Sequence, residues 1–193
     1  MTRSDLFKTD KQHFPFLETD RLLLRRLRDD DDDLDFVFQH FSNPQVTQYL
    51  LDEPPLTEYS EAQEIVQFYD DPEGKTYNRW GIVRKMDDQL MGTCGYHKWD
   101  KRYFRAEIGY DLSPEYWGQG YMREVLKAVL EHGFEQMALH RIEAFVYPEN
   151  VRSLRLLQKL GFETEGVLRD YFCLNGQFYD HCLLALLHQD WKI

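Results

Sequence analysis

Apolar positions along this chain switch between a two-residue and a helical period, and the switches lay out an order of elements. Arg21-Leu22-Leu23-Leu24-Arg25-Arg26-Leu27 reads as a first strand. After five aspartates at 29–33, Leu34, Val37, Phe38 and Phe41 recur at helical spacing. Acidic residues at a helix start cap free N–H groups and complement the dipole, so the aspartate run is expected to open this helix rather than hold a metal. Asn43-Pro44 starts a second, short helix over 44–50, with proline in the first turn, and Asp52-Glu53-Pro54-Pro55 breaks it. A third helix is predicted over 57–69.

Strand patterns follow over 79–84, 89–97 and 103–112, the first two joined at Asp87-Asp88, which makes an antiparallel meander. Met122, Val125, Leu126, Val129, Leu130, Phe134 and Met137 form one buried face of a helix over 120–138. A strand over 141–147 leads to a helix over 150–160, stopped by Gly161. The last two strands, about 162–174 and 177–187, join at Asn175-Gly176, a strong hairpin signal.

Composition narrows the picture. A chain of 193 residues, 42% hydrophobic and 15% aromatic, suits one domain, here expected over 16–193 after an extension at 1–15. The sequence shows neither a bilayer-spanning apolar run nor a signal peptide. Cys94, Cys173 and Cys182 are odd in number and unrelated in spacing, which argues against disulfides and a zinc site and for small core residues in a cytoplasmic protein. The net charge of −11 argues against nucleic-acid binding and favours a cationic partner, although solubility alone also explains the sign.

Chemistry enters at Tyr116-Trp117-Gly118-Gln119-Gly120-Tyr121-Met122, between the strand ending Asp111-Leu112 and the helix that follows. A strand, two glycines and a helix N-terminus present free backbone N–H groups to phosphate. Asn150-Val151-Arg152-Ser153 and Lys159-Leu160-Gly161-Phe162 lie downstream. Together these resemble the GNAT family of CoA-dependent N-acetyltransferases. The resemblance implies an α+β fold, a central, mostly antiparallel twisted sheet of about seven strands, splayed between the fourth and fifth and flanked by helices. Its nearest flavour is the RimJ/RimL branch, which acetylates N-termini of ribosomal proteins. That match rests on Arg21-Leu22-Leu23-Leu24-Arg25, Asn43-Pro44-Gln45-Val46-Thr47, Gly161-Phe162-Glu163-Thr164-Glu165-Gly166, Asp170-Tyr171, Leu174-Asn175-Gly176-Gln177 and Asp180-His181. Spermidine acetyltransferases carry a similar Asn-Gly-Gln hairpin.

By this resemblance acetyl-CoA is the acyl donor, with its pyrophosphate on Trp117, Gly118, Gln119, Gly120, Tyr121 and Met122 and with Arg123 adding positive charge. Its pantetheine arm would pair with the backbone at Asp111 and Leu112 and meet the Asn150 amide. The N–H near Leu112 would polarise the thioester carbonyl. Glu107 is the first candidate for the base and His97 the second. The usual tyrosine, seven residues after the asparagine, is replaced by Leu157, and a RimL-like glutamate by Phe172. Ser153 falls where RimL-like enzymes carry a serine, and the resemblance gives it a hydrogen-bonding or acid role towards the leaving thiolate. The expected partner is a cationic amine or a protein N-terminus, with no membrane or direct nucleic-acid contact and a homodimer left open. Polyamines, antibiotics or other small amines are alternative acceptors, and a non-catalytic acyl-CoA sensor is the alternative of another class.

Overall fold

The computed structural model of the protein describes residues 14–50, 54–70 and 75–192. Residues 1–13 of the expected extension at 1–15, and the breaker residues Asp52 and Glu53, lie outside the described residues. Among the described residues, eight strands and five α-helices follow in the order β1 (Leu17–Glu18), β2 (Leu22–Arg26), α1 (Asp31–Phe41), α2 (Pro44–Thr47), α3 (Tyr59–Tyr69), β3 (Trp80–Arg84), β4 (Gln89–Asp100), β5 (Arg105–Leu112), α4 (Tyr121–Glu135), β6 (Arg141–Val146), α5 (Val151–Lys159), β7 (Glu163–Leu174) and β8 (Gln177–Leu187). They form one sheet in the order β1-β2-β3-β4-β5-β6-β8-β7. Eight strands replace the expected seven because the two-residue β1, too short to leave a periodic signal, pairs with β2.

Every neighbouring pair is antiparallel except β5 and β6, which run parallel. Their ladder holds only at Arg105↔Arg141, Ala106↔Ile142 and Glu107↔Glu143. Beyond Glu107 the strands part, so 108–112 and 144–146 border an open split.

One core holds β-sheet residues Ile82, Cys94, Tyr96, Ala106, Ile108, Leu112, Ile142 and Leu184 against Val125, Leu126 and Val129 of α4 and Leu157 of α5. A smaller cluster packs Leu34, Val37 and Phe41 of α1 against Ala62 and Val66 of α3. Side chains alternate faces along a strand, and directly opposed residues share a face. Glu107, Gly109 and Asp111, opposite His97, Gly95 and Thr93, thus lie on the face away from α4. This is called the acceptor face below.

Several local expectations change. Helix α4 ends at Glu135 rather than 138, because the Gln136 and Met137 N–H groups share the His132 carbonyl and Ala138 turns to φ 55°. Helix α2 stops at Thr47. Of the aspartate run, Asp30 caps α1 by accepting the Asp33 N–H, whereas Asp33 turns inward. Asp33 is 2% exposed and takes both Arg25 guanidinium nitrogens at 2.6 and 2.8 Å, which ties β2 to α1. Cys94 and Cys182 are buried, but Cys173 is exposed on β7 and is no core residue. The hairpin at Asn175-Gly176 forms as expected, with φ 52° and 79° at its two turn residues.

Candidate active site

The loop between β5 and α4 is built for an anion. Gly118 and Gly120 have φ 75° and 80°, a left-handed backbone that side chains rarely adopt. Gly120 is the N-cap of α4 and offers no side chain to the first helical N–H groups. Those of Tyr121, Met122 and Arg123 therefore lack the side-chain cap that a polar residue supplies, and the helix dipole adds to their pull on phosphate. A Cβ at Gly118 would meet nothing within 4 Å, so the space before the loop is open. These features fit the pyrophosphate of an acyl-CoA.

Two further groups serve the loop. Trp117 Nε1 donates to the Leu112 carbonyl at 2.7 Å and fixes the loop to the end of β5. The Arg152 guanidinium lies 4.2 Å from the Trp117 ring centroid, which brings a cation from α5 to the mouth of the loop. Arg152 was not singled out in the sequence, because nothing in local spacing brings residue 152 to residue 117. Arg123 is exposed on the first turn of α4. The Gln119 carbonyl accepts from Arg21 Nη1.

The split between β5 and β6 carries hydroxyls on its α4/α5 side. Asn150 Oδ1 accepts the Ser153 N–H at 3.2 Å and caps α5, which leaves its amide donors for a ligand. The Ser153 hydroxyl lies 2.7 Å from the Tyr110 hydroxyl of β5. Leu157 is fully buried in the core, so no hydroxyl arrives from the usual tyrosine position. Tyr110 supplies one from the facing strand instead. Burial pushes its phenol far above the ordinary range, with the Ser153 hydrogen bond pulling the other way. Phe172, where a RimL-like glutamate would stand, packs edge-on to His181 at 6.3 Å.

On the acceptor face, Glu107 accepts from Lys98 Nζ at 2.7 Å, and Glu143 from Arg141 Nε at 2.7 Å. Both carboxylates line a cleft of about 470 Å³ with Asp100, Phe145 and Tyr171. His97 lies over Gly109, and burial, then the charges of Arg79 and Lys98, push its imidazole down to about 4. The folded protein thus keeps His97 neutral over a range in which the unfolded chain, at about 6.5, takes a proton. This contribution to stability is complete above pH ~6.5 and is lost as pH falls towards 4. Urea unfolding should show wild type losing about 2 kcal/mol more than His97→Gln between pH 7.5 and 5. Equal losses would contradict the buried neutral ring.

Deeper on this face, Asp111 is buried among Arg79 Nη1 at 3.0 Å, the Thr93 N–H at 2.8 Å, the Thr93 hydroxyl at 2.5 Å and His40 Nε2 at 2.7 Å. Burial opposes its ionisation, but the His40 hydrogen bond and the charges of His40 and Arg79 hold the carboxyl below the usual range. Its side chain is fully engaged, which leaves only backbone for the cofactor contact expected of Asp111. His40 lies 71 residues away in sequence, and no local signal pointed to it.

Comparison with known proteins agrees with this geometry. The Acetyltransferase (GNAT) domain matches residues 21–163. The uncharacterized N-acetyltransferase p20 of Bacillus licheniformis is 40% identical over 177 residues, 91% of this chain and 97% of its own. The [ribosomal protein uS5]-alanine N-acetyltransferase of Escherichia coli is 34% identical over 58% of each chain, and its spermidine N(1)-acetyltransferase 30% over 83% of each. The Vibrio cholerae spermidine N-acetyltransferase, solved with CoA and spermine, superposes with a TM-score of 0.76 at 24% identity, covering 89% of this chain and 98% of that one. A split sheet beside a loop with free backbone N–H groups fits an acyl-CoA-dependent transferase. The chain belongs to the GNAT family of N-acetyltransferases, which implies acetyl-CoA as its acyl donor. No helix among the described residues is long and apolar enough to cross a membrane. No metal-ligating cluster occurs among those residues either.

Proposed function

We propose that the protein acetylates a protein N-terminal α-amino group by direct attack of the amine on the thioester. The observation that carries this reading is that two of the three cleft carboxylates are already paired with cations, Glu107 with Lys98 and Glu143 with Arg141, while Asp100 accepts the Arg102 and Tyr103 N–H groups. A trough for a polycation would offer rows of unpaired carboxylates; this cleft suits one positive charge on a longer chain. The similarity to the uS5-alanine enzyme supports the same class of acceptor.

An α-amino group has an ordinary pKa of ~7.7–8.0, so a weak base suffices. Glu107 takes this role, directly or through one water. The Lys98 side chain is 70% exposed, and such ion pairs are worth only ~0–1 kcal/mol, so an incoming ammonium displaces Lys98 readily. The ammonium gives a proton to Glu107, its nitrogen forms a bond to the carbonyl carbon, and the C–S bond breaks. The Leu112 N–H polarises the carbonyl, and Ser153 donates to the departing sulfur. The bonded nitrogen sheds its second proton to become the amide, and the thiolate takes that proton up, so CoA leaves as the thiol.

Glu107→Gln should lower turnover about tenfold at pH 6.5 and within twofold at pH 9, where the amine is already neutral, with acetyl-CoA affinity preserved. A full rate across the profile would remove Glu107 from the reaction. The acceptor is tested by following acetyl-CoA consumption with ribosomal-protein N-terminal peptides, spermidine and aminoglycosides. At least tenfold higher kcat/KM for a peptide is expected. Preference for spermidine would favour the second reading, a polyamine acceptor, which the longer overlap with spermidine N(1)-acetyltransferase supports.

A further inference from the structure

Three buried groups at the end of β5 straddle Leu112. His40 Nε2 lies 2.7 Å from Asp111 Oδ1, and its Nδ1 2.8 Å from Ser113 Oγ. All three residues are buried, at 4%, 7% and 7% exposure. One imidazole on α1 therefore bridges the residues before and after Leu112.

Strand geometry says where the Leu112 peptide points. The Ser113 N–H donates to the Met91 carbonyl on β4 at 2.8 Å, and Ser113 is still extended at φ −61°, ψ 141°. Backbone N–H groups alternate between the two edges of an extended strand. The Leu112 N–H therefore points away from β4, into the split. The Leu112 carbonyl, on that same edge, is held by Trp117 Nε1. We infer that His40 is a positioning residue, which by bridging Asp111 and Ser113 keeps the Leu112 N–H aimed at the thioester carbonyl.

The two ends of the bridge differ in stiffness. Asp111 is fixed by Arg79 and Thr93 as well as His40, whereas among the described residues the Ser113 hydroxyl meets only His40. His40 thus transfers the rigidity of the Asp111 anchor past Leu112 to the start of the CoA loop. Donors to a developing oxyanion act through orientation, and a hydrogen bond weakens steeply as it bends. The bridging ring comes from α1, on the acceptor side of the sheet. The aim of the carbonyl-polarising group is thereby set by the helix layer facing the acceptor. A serine–imidazole–carboxylate order also occurs in nucleophilic relays. Here the serine is buried and the carboxylate is bound by a guanidinium, an arrangement that holds a backbone in place.

This inference rests on the acetyl-transfer reading above, and its test separates the two. Bound [1-¹³C]acetyl-CoA is observed by NMR in wild type, His40→Gln and Ser113→Ala, alongside kcat and KM. Polarisation should move the carbonyl resonance in wild type, and both variants should bring it back towards the free position. We expect kcat to fall about tenfold in His40→Gln and severalfold in Ser113→Ala, with KM for acetyl-CoA within twofold. Ser113→Ala removes only one hydrogen bond and covers the case in which His40→Gln does not fold. A folded Ser113→Ala protein with the wild-type resonance overturns the inference, whatever its Tm. An acetyl group found on Ser113 by mass spectrometry overturns it as well. The resonance needs no acceptor, so failure to acetylate any tested amine leaves it readable.

Discussion

Ser153→Ala is expected to lower turnover roughly 10–150-fold while leaving Tm and the KM for acetyl-CoA nearly unchanged. The figure is the loss of one hydrogen bond to a developing charge, ~1.5–3 kcal/mol, expressed as a rate. Ser153 lies on the first turn of α5, three residues from the Asn150 cap, so both point towards the same split. Its hydroxyl meets Tyr110 at 2.7 Å. When the Tyr110 hydroxyl donates to Ser153 Oγ, the Ser153 hydrogen is free for the sulfur. Tyr110→Phe should then reproduce part of the loss. In the Ser153→Ala background it should add nothing, since coupled groups are not additive. Steady-state kinetics of the two single variants and the double variant measure this directly. If the two losses multiply, the hydroxyls act separately. A drop in Tm with normal turnover per folded molecule would assign Ser153 to helix structure alone.

The contrast between Ser153 and Tyr110 shows what could be read from the chain. Ser153 was legible through the resemblance to RimL-like enzymes, whose serine falls at a fixed offset from the Asn150 helix start. Tyr110 was not, because its partner is 43 residues away and a strand residue's neighbours depend on how the sheet splits. The position on the helix where the family usually has a tyrosine holds Leu157, which the structure buries in the core, while the hydroxyl beside Ser153 comes from the opposite wall. His40 and Arg152 escaped for the same reason: each meets its partner only through tertiary packing. The order of the main elements, by contrast, was legible nearly throughout, since periodicity and turn residues are local. The exceptions are short pieces with no period to detect, such as β1, and ends set by hydrogen bonding rather than composition, such as the last turn of α4. The split itself was anticipated only through the family resemblance. Physically it arises because the β5–β6 ladder ends at Glu107↔Glu143, and no apolar pattern encodes where a parallel ladder stops.

Gly120→Val is expected to weaken acetyl-CoA binding by well over tenfold. At φ 80° Gly120 occupies a conformation in which a β-branched residue is strained by ~1–3 kcal/mol. Relief comes only by rotating the loop, which turns the first N–H groups of α4 away from the phosphate. Space is not the obstacle, because a Cβ here would meet nothing nearer than Arg21 Nη2 at 3.7 Å. The effect is therefore conformational, and Gly120→Asn, which tolerates left-handed backbone better, should lose much less. Each charge-assisted backbone donor lost costs ~1.5–3 kcal/mol, or about 10–150-fold in affinity. The α4 core residues Val125, Leu126 and Val129 remain packed, so the variant should stay folded with a modest fall in Tm. Calorimetric titration of CoA into wild type, Gly120→Asn and Gly120→Val gives the comparison. The expected order of affinity is wild type, then Asn, then Val. Equal affinities in folded proteins would mean that the pyrophosphate does not lie on this loop. A Val protein that binds CoA normally but no longer turns over would move the role of Gly120 from binding to the chemical step.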